Sequence, residues 1–403
     1  MKSIKKIVLA YSGGLDTSVA IRWLKDKYHA SVIAYAAEVG QGLKADKLKK
    51  RAAAAGADRL IIDDLREEFL CNYAMPAAQA GAVYQGGYYL SAALTRPLIA
   101  SHMVDAARKV HADALAHGCT GKGNDQVRFE LTFQALAPEM KVIAPVREWD
   151  MKSRSEEIDY AKEHKIPVDV TRQSPYSIDQ NLWGVCIECG MLEDPWVAPP
   201  DSAFRLTVPL DRTPVRPADI ALSFERGVPV RLNGKGVGIV ELVEKLNKVA
   251  GKNGIGRSDL VEDRLVGIKS REVYEVPAAT VLYRALREIE ALVLDRWTRQ
   301  WKEKTSMEYA QLIYDGLWDC PLRKHLAEVT QSISELVTGD VRLRLWRGNV
   351  IILGRRSPNS LYDYELATYE SADVFDHRAA DGFTKIYGLP LKVIGRRRAR
   401  RNK

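Results

Sequence analysis

The sequence predicts an α/β protein with a parallel-sheet domain first, an α+β domain after it and a helical arm at the carboxyl end. Three observations support this prediction. Short apolar runs alternate with helical patterns through residues 1–170, which is typical of a parallel sheet covered on both faces. A glycine-rich turn joins the first apolar run to the first helical pattern. After Gln173 proline and glycine become frequent, which indicates a different fold.

The first domain is predicted to span residues 1–172. Its strands are expected at 4–10, 30–37, 59–62, 112–117 and 142–145, and its helices at 17–28, 44–55 and 90–110. Ligands of open α/β sheets bind at the carboxyl ends of the strands, so the turns that follow these strands are where a site is expected.

The second domain is predicted to span residues 173–364, and the arm residues 365–403. Short alternating runs at 227–232 and 236–240 favour antiparallel strands, and residues 279–304 read as one long helix. Residues 342–353 read as a hairpin with a Gly-Asn turn.

Composition excludes several classes of protein. Apolar residues make up 46% of the chain, which is ample for real cores. No apolar run approaches the roughly 20 residues that a bilayer span needs, and the start, MKSIKKIVLAYSGG, does not read as a secretory signal. Five cysteines in a chain of this length do not suggest a disulfide framework. We therefore expect a cytoplasmic protein without a membrane partner.

The positive charge is concentrated at the carboxyl end. The chain has a formal charge of +8, and its last residues, RRRARRNK at 396–403, carry most of it. The rest of the chain is therefore close to neutral. Such a tail could contact RNA or a phosphate surface, but a solubility tail is the simpler interpretation, and we expect no nucleic-acid partner.

The turn after the first strand has the chemistry of an anion site. It lies in AYSGGLDTS, Ala10 to Ser18. Glycines let the backbone approach a ligand closely, and backbone N–H groups at a helix N-terminus bind phosphate oxygens. Asp16 would repel phosphate unless a Mg²⁺ ion bridges the two. The turn therefore predicts a site for a magnesium-bound phosphate.

A second glycine-rich loop follows the fourth predicted strand. It reads HGCTGKGNDQVRFE, from His117 to Glu130, and opens a helix. Lys122 and Arg128 offer positive charge for phosphate or carboxylate groups. Asn124 and Arg128 are four residues apart and share a helix face. His117 is expected to be held by a backbone partner rather than to act as a base.

These motifs carry a family resemblance. The first loop lacks the lysine of G-x-x-x-x-G-K-[ST] and the spacing of G-x-G-x-x-G; S-G-G-x-D-[ST] resembles instead the pyrophosphate loop of the ATP pyrophosphatase superfamily. Together with the second loop, further stretches are similar to the argininosuccinate synthase family. They are YQGGYYLSAALTRPLIA (84–100), SPYSIDQNLWG (174–184), LEDPW (192–196), GRSDLVEDRLVGIKSR (256–271) and Tyr274-Glu275.

The resemblance implies an activity, a substrate set and an assembly. It implies a ligase of arginine biosynthesis that joins citrulline to aspartate through a citrullyl-AMP intermediate, giving argininosuccinate, AMP and pyrophosphate. It also implies a Mg²⁺-dependent homotetramer, with the C-terminal arm embracing neighbouring subunits.

The resemblance also assigns roles to residues. Those implied for ATP are Ala10, Tyr11, Ser12, Gly13, Gly14, Leu15, Asp16, Thr17, Ser18, Ala37 and Gly118. Those implied for aspartate are Thr120, Asn124 and Asp125. Those implied for citrulline are Tyr88, Ala93, Asn124, Arg128, Ser177, Cys186, Glu262 and Tyr274. The catalytic set is Ser12, Asp16, Lys122 and Arg128, and Asp16 would hold Mg²⁺ through the phosphates.

Four positions depart from the family pattern and leave alternatives open. Ala92, Ala93 and Cys186 stand where the family has hydroxyl side chains, so one contact to citrulline is lost at Ala93 and another becomes a thiol at Cys186. Glu272 stands where the family has glycine and adds a bulky charge near the amino-acid pocket. A paralogue that adenylates a citrulline-like substrate therefore stays open. A tRNA-modifying ATP pyrophosphatase also stays open, since it would share the first loop.

Overall fold

The computed structural model describes residues 3–167 and 176–402. The chain forms two compact units, of which one ends at Asn359 and the other begins at Ser360. The domain boundary expected at residue 172 and the first two residues of the 174–184 stretch lie outside the described residues.

The first sheet has five parallel strands in the order β3-β2-β1-β4-β5, which confirms the α/β fold class. Its elements follow one another as β1 Lys6–Ala10, α1 Leu15–Tyr28, β2 Ser31–Glu38, α2 Ala45–Ala54, β3 Arg59–Asp64, α3 Arg66–Phe69, a π-helical turn Leu70–Ala74, α4 Met75–Ala80, α5 Ser91–Lys109, β4 Ala114–Ala116, α6 Asp125–Leu136, β5 Lys141–Ile143, α7 Pro145–Glu148 and α8 Arg154–Glu163. The strand order reverses direction between β1 and β4, and both glycine-rich loops leave the sheet there. Such a switch point is where an α/β sheet binds its ligand.

Two antiparallel sheets follow. Their elements are β6 Ser177–Asn181, β7 Gly184–Glu188, β8 Ala218–Glu225, β9 Val228–Leu232, β10 Lys235–Gly236, α9 Ile239–Lys252, β11 Arg257–Asp263, β12 Lys269–Glu275, α10 Pro277–Val293, α11 Arg296–Tyr314, α12 Pro321–Ser334, β13 Gly339–Trp346 and β14 Asn349–Arg356. Single 3₁₀ turns lie at Gly190–Glu193, Asp201–Ala203 and Leu210–Arg212. One sheet has the order β11-β12-β7-β6 and the other β10-β9-β8-β13-β14.

The hydrophobic core joins the two halves of the first unit. The largest cluster of buried side chains contains Val8 and Tyr35 from the parallel sheet together with Tyr274, Leu282 and Tyr314 from the later elements. Residues far apart in the sequence therefore have fixed positions relative to the switch point.

Two predicted elements of the second domain are wrong. The run at 236–240 is not a strand beyond Gly236, because Ile239 begins helix α9, whose buried Leu242, Val243 and Leu246 follow helical spacing. The long helix at 279–304 is two helices, because the Asp295 carboxylate accepts hydrogen bonds from the backbone N–H groups of Trp297 and Thr298 and so caps a new helix.

Two further predictions are wrong in their boundaries. The hairpin turn is Arg347-Gly348 rather than Gly-Asn, since Trp346 pairs with Asn349 and both turn residues have positive φ. The strand at 142–145 ends at Ile143, because Pro145 opens the short helix α7.

The second unit consists of short helices. They are α13 Tyr364–Ala367, α14 Ala379–Tyr387 and α15 Leu389–Arg401. None of its helical residues is buried, and Phe383, Ile386, Leu391 and Val393 are among its exposed apolar side chains. Within residues 3–167 and 176–402, no helix combines the length and apolar character that a membrane span requires.

Candidate active site

The first glycine-rich loop turns from the buried strand β1 into helix α1. Gly13 has φ +76°, a left-handed conformation that side chains disfavour. The Ser12 hydroxyl accepts a hydrogen bond from the Gly14 N–H at 3.2 Å and lies 3.1 Å from the Thr17 hydroxyl. Helix α2 also contacts the loop, because the Arg51 guanidinium donates a hydrogen bond to the Gly13 carbonyl. The loop is therefore held from within and from a neighbouring helix.

The N-terminus of α1 is free of a side-chain cap. Gly14 is the N-cap residue, and among the residues that the structure describes it gives the first turn no side-chain cap. Ser18 is buried, with its hydroxyl 3.3 Å from that of Tyr11. A helix of 14 residues whose first N–H groups have no side-chain cap suits an anion.

Asp16 in the first turn of α1 has a carboxyl neighbour. Glu157 of α8 lies beside it, and burial together with the Asp16 charge raises the pKa of Glu157 to about 8. Glu157 Oε2 is buried without a hydrogen-bond partner in the described part of the chain. Paired carboxylate oxygens are the ligands that Mg²⁺ prefers, so the residues present fit this ion.

The second loop meets the first. A Cβ placed on Gly118 would lie 2.9 Å from Thr17 Cγ2, so Gly118 allows this close approach. His117 is fully buried; its Nδ1 accepts from the Cys119 N–H at 3.2 Å, and its Nε2 lies 3.0 Å from Glu130 Oε1. The prediction that a backbone partner holds His117 is confirmed. Thr120 and Lys122 are exposed on this loop.

Four residues predicted for citrulline lie on one face of the sheet β11-β12-β7-β6. Tyr274 pairs with Cys186, and Glu262 pairs with Ser270, four residues before Tyr274. Ser177 pairs with Glu188, two residues after Cys186. Because side chains alternate between the faces of a sheet, all four share one face. Ser177 is exposed at its edge.

The predicted citrulline residues that meet here come from strands β11 and β12, helices α5 and α6 and the loop before α5. The rings of Tyr88 and Tyr274 stack with centroids 4.3 Å apart. The Tyr274 hydroxyl donates to Glu262 Oε1 at 2.8 Å, and the Tyr88 hydroxyl accepts from the Ala93 N–H at 3.0 Å. Arg128 is buried beside them, and its charge works against the burial that raises the pKa of Tyr88.

Two charged side chains in this cluster each have one atom without a hydrogen-bond partner in the described part of the chain. Arg128 Nη2 and Glu262 Oε2 are both buried and make no hydrogen bond within residues 3–167 and 176–402. Burial raises the pKa of Glu262, and the Tyr274 hydrogen bond and Arg128 oppose that rise. An orphaned donor on a cation and an orphaned acceptor on a carboxylate complement the two charged groups of an amino acid.

Asp125 is held between two arginines. Its Oδ1 accepts from Arg128 Nη1 at 2.8 Å and its Oδ2 from Arg96 Nη2 at 2.7 Å. Arg96 also pairs with Asp179. These ion pairs lower the pKa of Asp125 despite its burial, so the carboxylate is ionised. Sequence reasoning missed Arg96, although it lies within the quoted stretch 84–100.

The Cys186 thiol faces a buried ionic cluster. It donates to Glu272 Oε2 at 3.3 Å, and Arg264 Nη2 lies 2.6 Å from both Glu272 and Glu188. Burial, followed by the charge of Glu272, raises the pKa of Cys186, so the thiol is neutral. Arg264 also donates to the Lys122 carbonyl, which ties this cluster to the second loop.

Ala37 lies at the other side of the switch point. It is buried near the end of β2, and its carbonyl accepts from the Gln41 side chain at 2.6 Å. The backbone N–H of Tyr11 donates to the carbonyl of Tyr35, two residues earlier on the same strand. The structure therefore brings Ala37 to the strand end from which the first loop leaves.

A parallel sheet with glycine-rich loops on both sides of its switch point and an uncapped helix N-terminus defines a nucleotide-binding α/β protein. Comparison with known proteins narrows this class. Residues 6–167 match the family model described as the arginosuccinate synthase N-terminal HUP domain, and residues 176–394 match the model of the C-terminal domain.

Relatives match over nearly the whole chain. An argininosuccinate synthase of Aquifex aeolicus is 53% identical, with 97% of this chain and 98% of the relative covered. Those of Chlorobium phaeobacteroides and Chlorobaculum tepidum are 52% and 51% identical over the same shares. The chain belongs to the argininosuccinate synthase family. The predicted enzyme class, a ligase that forms a C–N bond with ATP, is confirmed. The sequence left two alternatives open, a paralogue for a citrulline-like substrate and a tRNA-modifying ATP pyrophosphatase, and these relatives are named for neither.

Proposed function

We propose that this chain condenses citrulline with aspartate at the expense of ATP, through citrullyl-AMP, and that the residues assigned above form its site. One observation carries the proposal. The orphaned Arg128 Nη2 and Glu262 Oε2 lie in the cluster formed by Tyr88 and Tyr274, at the loop that contacts the predicted ATP loop. A zwitterionic amino acid satisfies both atoms at once.

The first loop has the groups needed to bind the phosphates. The N–H group of Leu15 and the hydroxyls of Ser12, Thr17 and Ser18 would bind the β- and γ-phosphates, with Ala37 and Gly118 beside the nucleoside. Binding pyrophosphate at a helix N-terminus stabilises it as a leaving group. Asp16, with Glu157 beside it, would hold Mg²⁺, which would neutralise part of the phosphate charge when bound.

Citrulline would be oriented by its charged ends. Its α-carboxylate would accept from Arg128 Nη2 and its α-ammonium would donate to Glu262 Oε2, with Tyr88, Ala93, Ser177, Cys186 and Tyr274 around it. The ureido oxygen would then attack the α-phosphorus, form the new P–O bond and expel pyrophosphate. The enzyme forms no covalent bond in this step, so positioning supplies the rate.

Aspartate would complete the reaction from the second loop. Thr120, Asn124 and Asp125 would hold it so that its amine attacks the ureido carbon of citrullyl-AMP. The C–O bond to AMP breaks and AMP leaves. Of the three protons on the aspartate ammonium group, two pass to solvent and one stays on the nitrogen of the new guanidinium group. Lys122 is exposed on the same loop and would offset phosphate charge.

We further propose a cytoplasmic homotetramer with domains at 1–172, 173–364 and 365–403. All five cysteines, which lie within the described residues, are free thiols, as suits a reducing compartment. The exposed apolar side chains of residues 360–402 suit an arm that covers neighbouring subunits. Light scattering on the full chain and on a chain ending at residue 359 tests the assembly. A full chain that does not form a tetramer would contradict the homotetramer, and a tetramer formed equally by both chains would contradict the role of the arm.

The reaction is tested by product analysis. The enzyme is incubated with ATP and Mg²⁺ together with citrulline, or with analogues that lack the α-carboxylate or the α-amine, each with and without aspartate. We expect AMP and pyrophosphate in equal amounts, with full turnover only when citrulline and aspartate are both present. Release of ADP and phosphate, or equal turnover with both analogues, would overturn the proposal.

A further inference from the structure

We propose that Tyr314, at the end of α11, is a positioning residue that holds Asn124 and Arg128 in their substrate-binding geometry and thereby sets the affinity for both amino acids; this rests on the proposed function of the site. Neither the motifs nor the family resemblance pointed to this residue. It lies 190 positions from Asn124 in the sequence.

The Tyr314 hydroxyl joins the second loop to the β11-β12 hairpin. It accepts from Asn124 Nδ2 at 2.7 Å and donates to the Asp263 carbonyl at 3.0 Å. The other end of the same amide, Asn124 Oδ1, accepts from the Leu265 N–H at 2.9 Å. The Asn124 amide is therefore fixed at both ends, and Tyr314 provides one of the two contacts.

Tyr314 also holds Arg128. Its backbone carbonyl accepts from Arg128 Nε at 3.0 Å, and its ring centroid lies 5.0 Å from the guanidinium carbon. With Nε bound to Tyr314 and Nη1 bound to Asp125, the orphaned Nη2 is aimed by two fixed contacts. A planar guanidinium held at two nitrogens has little freedom at the third.

Tyr314 is itself held in place. Its ring stacks on Tyr84 at 3.6 Å with planes 10° apart, and it meets the edge of Tyr88 at 6.2 Å. Its side chain is buried, and burial raises its pKa, so the hydroxyl keeps its proton at neutral pH. Replacing the hydroxyl alone removes the contact to Asn124 while the ring keeps its packing.

The test is Tyr314→Phe in the full chain, with Tyr84→Phe and Tyr309→Phe as controls. Tyr84 donates to the same Asp263 carbonyl, and the hydrogen bonds of the Asn124 side chain in the described chain go to Tyr314 and Leu265 rather than to Tyr84. Tyr309 is equally buried on α11, and its hydroxyl bonds to no predicted substrate residue in the described chain. Steady-state pyrophosphate release gives kcat and the KM for each substrate, and thermal unfolding reports stability.

We expect Tyr314→Phe to raise the KM for citrulline and for aspartate about tenfold, because a buried amide loses a partner. The KM for ATP should change less than about twofold, and the controls less than about threefold for every substrate. A KM pattern equal to that of the controls, or a uniform change in all three KM values, would overturn the inference.

A double-mutant cycle with Asn124→Ala tests whether Tyr314 acts through Asn124. Tyr314→Phe should have less than about twofold further effect in the Asn124→Ala background. Full additivity would contradict the proposed role. An inactive wild-type chain would instead refute the proposed function, so the two failures are distinguishable.

Discussion

Gly118 lies directly against Thr17, so the loop predicted for the amino acids contacts the loop predicted for ATP. A Cβ at Gly118 would meet Thr17 Cγ2 at 2.9 Å, closer than side chains normally approach. We expect Gly118→Ala to push the loops apart and to lower kcat/KM for ATP about tenfold, because in-line attack tolerates little misplacement.

Gly236→Ala provides the control for this prediction. A Cβ at Gly236 would meet nothing within 4 Å, and Gly236 lies on β10, outside both loops. The measurement is initial rates of pyrophosphate release with varied ATP. Equal kcat/KM in the two variants would show that the contact between the loops does not matter for catalysis.

Asp16→Asn should lower pyrophosphate release more than about a hundredfold, since an amide is a much poorer ligand for Mg²⁺ than a carboxylate. The fold should survive. Asp16 lies beside the buried carboxyl group of Glu157, so removing its charge relieves repulsion. Pyrophosphate release and thermal unfolding are measured on the same preparation.

The expected pattern for Asp16→Asn is a lost activity with an unchanged or higher melting temperature. Leu15→Val, a change in size at the neighbouring buried position, serves as the control for altered loop packing. Turnover like that of the wild-type chain would remove Asp16 from the metal role.

The sequence revealed the parts of the site that are local in the chain. The two glycine loops were predictable because strand, turn and helix signals stand side by side between Ala10 and Ser18 and between His117 and Glu130. Their contact at the switch point also follows from a parallel sheet. The family resemblance supplied Glu262 and Tyr274, but their common sheet face depends on a register that only the structure shows.

The parts that escaped prediction are those that tertiary contacts create. Tyr314 ends a helix whose sequence has no motif, and its role depends on Asn124 and Arg128 packing against it. The helix break at Asp295 did carry a local signal, an aspartate three residues before Thr298, but apolar spacing on both sides concealed it.

Arg128→Ala should weaken citrulline binding far more than ATP binding. The side chain is buried beside Tyr88 and Asp125, and within the described residues its hydrogen bonds and ion pair go to Tyr314 and Asp125, not to the ATP loop. Loss of a buried charge-assisted hydrogen bond predicts a rise in KM for citrulline of about a hundredfold and a rise for ATP of less than about threefold.

The measurement for Arg128→Ala varies citrulline and ATP in turn at saturating aspartate. Arg147→Ala is the control. Arg147 of α7 pairs with Glu130 of α6, the helix that also carries Arg128, and in the described part of the chain it makes no hydrogen bond or ion pair with a residue predicted for citrulline. Equal losses for both substrates would show that Arg128 does not bind citrulline selectively.

Glu188→Gln should stabilise the fold above neutral pH. Burial and then the Glu272 charge raise the pKa of Glu188 to about 7, although Arg264 opposes the shift. In the folded protein Glu188 is therefore still protonated at pH values where the unfolded chain has already lost the proton. The contribution of protonated Glu188 to the free energy of unfolding is present in full below about pH 4.5. This contribution is lost as the pH rises through about 7. The neutral glutamine avoids that loss.

With about a third of the Glu188 side chain exposed to screening solvent, we expect the variant to exceed the wild-type free energy of unfolding by about 1 kcal/mol at pH 8 and to match it near pH 5. Urea unfolding at both pH values measures this, with Glu225→Gln at an exposed strand end as the control. A stability gain of the same size at both pH values would show that titration of Glu188 is not its cause.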